Sequence, residues 1–201
     1  YEAGLKAAWF DGRLNGTLAF FRIEQDNVAS NIGTNPVTNE GIYKAIDGAT
    51  TKGLELGLAG GLAPGWNVTA GYTYARTRDA DDQRIFGFPL ATTKPEHVVR
   101  LFNTYRLPGA FDQVTVGGGL RWQSGFYGNI YSPIANDYTR IKQGGYTLVD
   151  LMARYQYSEH LSFTVNANNV FDKVYLTGLG NFDTTYYGEP RNMMVTTRWD
   201  F

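Results

Sequence analysis

The chain has 201 residues, of which 18 % are charged and 15 % are aromatic, and its formal net charge is −1 at pH 7. This charge balance excludes the basic field that would attract nucleic acid, so we expect no nucleic-acid partner. Cysteine is absent, which excludes disulfides, thiolate metal sites and cysteine nucleophiles, and the two histidines are too few for a histidine-rich metal site.

The chain opens in a strand-like pattern at residues 1–5, without an initiator Met or a signal-peptide core, so we expect a mature or excised piece of a longer protein. The longest window without a charge, residues 56–75, holds five glycines and Pro64. A membrane-spanning helix of that length consists mostly of large apolar residues. We therefore interpret this window as two strands around a turn.

Alternation with a period of two continues along the whole chain and predicts about nine strands. They cover roughly 1–11, 13–28, 41–62, 66–78, 95–107, 112–128, 144–157, 161–177 and 186–201. Tight turns, such as Asp11-Gly12 and Pro64-Gly65, alternate with longer segments at about 29–40, 79–94, 129–143 and 178–185. This arrangement predicts an all-β fold in which the strands form an antiparallel meander.

A soluble sandwich would show the same alternation, but three features favour a transmembrane β-barrel. The second face of the strands is polar, tryptophans lie near predicted strand ends, and the chain ends on the aromatic Phe201. Six charged residues are expected to face the barrel interior, because a lipid-facing Arg or Lys costs roughly 2–4 kcal/mol at the midplane. They are Lys6, Glu55, Arg121, Asp150, Arg154 and Arg198.

Nine is an odd count, whereas bacterial single-chain barrels close with an even number of strands. Two interpretations stay open on this evidence: a small barrel of eight or ten strands, or a segment of a larger barrel.

Enzyme motifs are weak, because residues 117–119 lack the Lys of a phosphate-binding loop and no serine motif accompanies His160. We expect no catalytic residues.

Several blocks resemble TonB-dependent ferric-siderophore receptors, and together they cover essentially the whole chain. The most specific is Asn-Ala-Asn-Asn-Val-Phe-Asp-Lys-Val-Tyr at residues 166–175, followed by Glu-Pro-Arg-Asn at 189–192 and the terminal aromatic strand. Similar blocks are Lys-Gly-Leu-Glu-Leu-Gly-Leu at 52–58, Gly-Tyr-Thr-Tyr at 71–74 and Lys-Pro-Glu-His-Val-Val-Arg-Leu-Phe at 94–102. Residues 10–29 resemble a strand pair of these receptors.

The resemblance implies that residues 1–201 are the C-terminal strands of a 22-stranded barrel in the outer membrane of a Gram-negative bacterium. It implies uptake of a ferric siderophore, energised by the TonB complex through a plug domain that lies outside this segment. Iron would arrive inside the chelate, so we expect no protein metal ligands in this segment and no cofactor. A passive pore or surface adhesin is the alternative, and cobalamin, haem or a glycan stay open as substrates.

The tight turns face the periplasm in this interpretation, so only the long-loop side can present groups to an external ligand. Aromatic faces and a few directed donors suit a ring-bearing, anionic chelate. The candidate contacts are Tyr127, Tyr131, Tyr138, Phe86, Arg84 and Arg140. The alternative is that some of these aromatic residues only form the outer girdle of the barrel or pack the loops together.

The last strand provides a second candidate, an assembly signal. Its outward aromatic residues are Trp199 and Phe201. The resemblance implies that the barrel assembly machinery reads this row and that the finished wall contacts outer-membrane lipid.

Overall fold

A computed structural model describes residues 1–26, 28–46, 48–79, 84–85, 88–89, 94–132, 134, 136–179 and 185–201. In chain order, the strands are β1 Glu2–Trp9, β2 Leu14–Glu24, β3 Val28–Thr34, β4 Gly41–Ile46, β5 Ala49–Ala63, β6 Trp66–Asp79, β7 Arg84–Ile85, β8 Phe88–Pro89, β9 His97–Arg106, β10 Val114–Gln123, β11 Phe126–Ser132, β12 Asp137–Gln143, β13 Tyr146–Gln156, β14 Leu161–Asn168, β15 Leu176–Leu179, β16 Thr185–Tyr187 and β17 Asn192–Trp199. A 3-10 helix covers Gly109–Phe111 between β9 and β10. No helix in these described ranges is long and apolar enough to span a membrane.

Nine long strands form one antiparallel sheet in the order β1-β2-β5-β6-β9-β10-β13-β14-β17. The predicted nine-stranded meander is therefore confirmed. Short connections join the strands at one end of this sheet, which we call the turn end. At the other end, the hairpin end, each connection carries its own pair of strands: β3–β4, β7–β8, β11–β12 and β15–β16.

The sequence prediction was wrong where it merged hairpin strands with sheet strands. Residues 41–62 divide into β4 and β5, residues 112–128 divide between β10 and β11, and residues 186–201 divide between β16 and β17. The alternation continues across each boundary, so period alone hides the break. Between β10 and β11, for example, the chain leaves the sheet at Ser124 and Gly125, which lie outside both strands.

The register assigns the two faces of the sheet. Lys6 pairs with Thr17, Glu55 pairs with Thr73, and Arg121 pairs with Leu148. Since cross-strand partners share a face and alternate residues change face, these pairings extend from strand to strand across the sheet. All six charged residues expected inside the barrel lie on one face, which we call the inner face: Lys6, Glu55, Arg121, Asp150, Arg154 and Arg198.

The opposite, outward face is apolar along the middle of the strands. Leu5 pairs with Leu18, and Leu18 pairs with Leu56, so large aliphatic side chains form continuous rows. Leu5 is 72 % exposed, which in water would be unfavourable for a row of this length. The tryptophans lie at strand ends: Trp9, Trp66 and Trp199 at the turn end, and Trp122 at the hairpin end.

The two outer strands of the sheet, β1 and β17, are not paired with each other. Each unpaired backbone group costs several kcal/mol in lipid. We therefore expect residues 1–201, expressed alone, to give no monodisperse, protease-resistant species in detergent. Size-exclusion chromatography and limited proteolysis measure this, with the full-length protein as the control. A resistant monomer of residues 1–201 would contradict the expectation and indicate that these strands close by themselves.

Candidate ligand-binding hairpin

The hairpin of β11 and β12 brings together most of the predicted ligand contacts. Its register pairs Tyr127 with Lys142, Asn129 with Arg140, and Tyr131 with Tyr138. Alternation along the two strands places these six positions on the same side of the hairpin. The sequence analysis selected four of them without knowing the register, and the pairing shows why they belong to one surface. We call this side of the hairpin the tyrosine face.

Tyr127 and Arg140 make direct contact on the tyrosine face. The guanidinium carbon of Arg140 lies 4.6 Å from the centre of the Tyr127 ring, within the range of a cation–π interaction. Tyr127 is half-buried and Arg140 is exposed. The contact holds a planar cation beside an aromatic ring, and such an arrangement can bind an anionic, ring-bearing ligand.

The base of the hairpin is fixed to the neighbouring segment. Phe126, at the start of β11, is only 4 % exposed. The Gln143 side-chain carbonyl, at the end of β12, accepts a hydrogen bond from the Leu176 backbone N–H at 2.8 Å. Below it, the rings of Tyr146 and Tyr175 lie 4.6 Å apart and pack with Leu148 in a small buried cluster. The hairpin therefore projects from an ordered base.

Asn169 closes the segment that joins β14 to β17, and the sequence analysis assigned it no role. Its side-chain amide donates to the backbone carbonyls of Lys173 and Glu189 at 2.9 and 3.1 Å. Its side-chain oxygen accepts from the Lys173 N–H at 2.8 Å. Asn169 is 2 % exposed and has a φ of +48°, a conformation that Asn tolerates better than most residues.

A salt bridge on the inner face supports the same segment. Arg121 Nε donates to Asp150 Oδ2 at 3.0 Å, and the second nitrogen of its guanidinium donates to Oδ1 at 3.3 Å. The Asp150 Oδ1 atom also accepts the backbone N–H of Asn169 at 2.9 Å. Two of the charged residues predicted to line the interior thus connect the barrel wall to the turn that begins at Asn169.

The other predicted contacts have different positions. Phe86 lies outside the described residues. Arg84 is in β7, whose register pairs it with Pro89 in a separate hairpin, so the described contacts do not join it to the tyrosine face. For Tyr131 and Tyr138 the structure describes the strand positions alone. Within the described part of the chain, no three His, Asp or Glu side chains are grouped in a way that could hold a metal ion.

Asn169→Ala removes the partners of two carbonyls and one N–H in a buried turn. Each group left unsatisfied costs about 1–3 kcal/mol, and alanine is strained at this φ. We expect faster proteolytic cleavage between β14 and β17 in full-length protein carrying Asn169→Ala. Asn67→Ala is the matched control, because Asn67 is exposed in β6. Equal cleavage of the two variants would contradict the role of Asn169.

Comparison with known proteins identifies the barrel. Residues 1–170 match the family model described as TonB dependent receptor-like, beta-barrel. The ferripyoverdine receptor of Pseudomonas aeruginosa is 43 % identical over 205 residues, which cover 100 % of this chain and 24 % of that receptor. The catecholate siderophore receptor Fiu of Escherichia coli is 28 % identical over 207 residues, covering 100 % of this chain and 25 % of the receptor.

A solved structure agrees with this result. The crystal structure of the outer-membrane ferripyoverdine receptor of P. aeruginosa, bound to ferripyoverdine, matches with a TM-score of 0.89 and 44 % identity. The match covers 100 % of this chain and 27 % of that chain. The chain spans about a quarter of the length of the relatives that it matches. It belongs to the TonB-dependent receptor β-barrel family, and its nine long strands form part of a barrel wall in the outer membrane.

Proposed function

We propose that the protein containing this chain imports a ferric siderophore across the outer membrane. TonB energises this import through a plug domain outside residues 1–201. Three relatives that are 43, 41 and 40 % identical over the full chain are named as ferripyoverdine or ferric-pyoverdine receptors, and we infer a chelate of that class for this protein. A passive pore or an adhesin is not supported, because these relatives are siderophore receptors.

The observation that carries the proposal is the tyrosine face. A ferric siderophore is a polar chelate that often carries an aromatic ring and negative charge, and its recognition combines ring contacts with directed donors. Tyr127 presents a ring and Arg140 presents a planar cation in contact with it. Since β11 and β12 lie at the hairpin end, these groups are available from outside the cell.

Individual roles follow from this arrangement. Tyr127, Tyr131 and Tyr138 provide stacking surfaces, and Arg140 neutralises an anionic group of the chelate. Arg84 and Phe86 contribute from the connection between β6 and β9. Iron is cargo held by the siderophore, so the protein requires no cofactor and no metal ligands of its own, and it catalyses no reaction. Ferric siderophore, the TonB complex, outer-membrane lipid and the barrel assembly machinery are the proposed partners, without nucleic acid.

Replacing Tyr127, Tyr131 and Tyr138 together by alanine removes the stacking surface. We expect the full-length receptor to bind a ferric pyoverdine at least about tenfold more weakly, equivalent to about 1.4 kcal/mol. The affinity is measured by titrating purified receptor while following its tryptophan fluorescence. Beforehand, the variant and the wild type are shown to reach the cell surface in equal amounts.

The control for this experiment is Thr139→Ala with Ile141→Ala, which changes the opposite side of β12 and should leave the affinity unchanged. Unchanged affinity in the tyrosine variant would remove this hairpin from the site. If neither wild type nor control binds any ferric pyoverdine, the proposed substrate class is wrong.

The end of β17 carries the proposed assembly signal. Trp199 is 57 % exposed and lies on the outward face, and Phe201 follows the strand fully exposed. Deleting Phe201 or replacing it by Asp removes the terminal apolar group of this row. We expect less folded receptor in the outer membrane at unchanged synthesis, measured by heat-modifiable gel mobility and total immunoblot. Asp200→Asn is the control, and normal insertion of the Phe201 deletion would contradict the role.

A further inference from the structure

Three cations lie side by side on the outward face near the hairpin end of the sheet. The register pairs Arg22 of β2 with Lys52 of β5, and Lys52 with Arg76 of β6. Cross-strand partners share a face and lie about 5 Å apart, so the three residues form a continuous line across three strands. We call them the cationic row, and all three are exposed.

The apolar band of the outward face ends just before the cationic row. In β6 this band runs from Trp66 to Tyr74, nine residues whose ends are about 27 Å apart along the strand. The tilt of barrel strands reduces this to a height of about 20 Å, close to the roughly 25 Å of a barrel's apolar band. His97 stacks on Tyr74 with ring centres 4.8 Å apart and marks the same level on β9. The cationic row therefore lies at the membrane–water interface on the hairpin side of the barrel.

The acidic neighbours neutralise only part of this charge. Arg22 forms a salt bridge with Glu24, and Arg76 Nε lies 3.6 Å from Glu96 Oε1. Lys52, at the centre of the row, forms no ion pair within the described residues. Arg78 adds a further exposed cation on the outward face of β6, and Asp26 lies beyond β2. An unpaired lysine between two arginines favours an anionic group at this level.

A groove in the apolar band lies below the cationic row. Its volume is about 500 Å³, and it is lined almost entirely by apolar side chains of β1, β2, β5, β6 and β9. Its upper rim is Leu18, Leu56 and Tyr72, which form one cross-strand row. Each rim residue lies four positions from a member of the cationic row, about 13 Å along the strand.

Small residues make the floor of the groove. Ala7 pairs with Gly16 there, Gly16 with Leu58, and Leu58 with Ala70, so three of these four positions carry small residues. Trp9 bounds the groove toward the turn end, and a Cβ atom on Gly16 would lie 2.7 Å from its ring. The indole thus lies against the glycine. The resulting depression suits a flexible hydrocarbon chain.

We propose that this outward surface binds one phosphate-bearing lipid of the outer leaflet. The lipid phosphate contacts Lys52 and its flanking arginines, and an acyl chain lies in the groove between the Leu18–Tyr72 rim and Trp9. Both parts of the site face the membrane, where lipid is the surrounding solvent, and their spacing matches an amphiphile with its headgroup at the interface. The proposal depends on the barrel's place in the membrane and is independent of the imported ligand.

The test uses full-length receptor in detergent micelles and native mass spectrometry, with lipid A as the probe. Dephosphorylated lipid A and phosphatidylcholine serve as comparison lipids. We expect lipid A to be retained in preference to both, and the variant Arg22→Gln/Lys52→Gln/Arg76→Gln to reduce its retention at least about tenfold. Lys52→Gln alone should give a smaller reduction. This single variant still tests the proposal if the triple variant folds poorly.

Two further variants separate the headgroup from the groove. Lys6→Gln is the matched control for Lys52→Gln, because Lys6 lies on the inner face of β1, and it should leave lipid retention unchanged. Ala70→Phe fills the groove without changing charge and should also reduce retention. Equal retention of phosphorylated and dephosphorylated lipid A, or wild-type retention by the triple variant, would overturn the proposal. Heat-modifiable gel mobility of each variant verifies the fold independently of any ligand.

Discussion

Lipid cannot form hydrogen bonds with backbone N–H and C=O groups, and the rest of this structure depends on that constraint. Each of the nine long strands pairs with the strand that precedes or follows it in the sheet order, with continuous register over most of its length. A pleated strand presents alternate residues to opposite sides, so the same pairing that satisfies the backbone also separates an apolar outward face from a charged inner face. Glu55 and Leu56 are adjacent in sequence and lie on opposite sides of the wall.

This constraint also explains how much of the fold could be predicted. Strand number, strand order and the face of residues such as Arg121 and Arg154 follow from a local pattern, because lipid and barrel interior impose opposite preferences at a period of two. The ends of the strands do not follow from it. Beyond the membrane, β4 keeps the same alternation as β5 because it is paired in a hairpin, and no local signal shows that the pairing partner is β3 for β4 but β2 for β5.

The candidate site was partly accessible to sequence reasoning for a similar reason. Aromatic and basic residues in a long connection could be selected by type, but their common side depends on the register of β11 with β12, which pairs Tyr131 with Tyr138. Asn169 shows the opposite case. The block around it carried the family resemblance, yet its role depends on the carbonyl of Glu189, twenty residues away, and on a left-handed backbone. In the sequence alone, an Asn with this role looks no different from an Asn in an ordinary surface turn.

The contacts at the hairpin end connect the tyrosine face to the barrel interior through ordered groups. Gln143, at the base of β12, holds the backbone of Leu176, and the adjacent Tyr175 packs on Tyr146 at the start of β13. Along the same face of β13 lies Asp150, which binds Arg121 and the Asn169 turn. The base of the β11–β12 hairpin is thus connected to side chains of the inner face. Since the outward face of the long strands contributes none of these bonds, that face and the tyrosine face on β11 and β12 can vary independently.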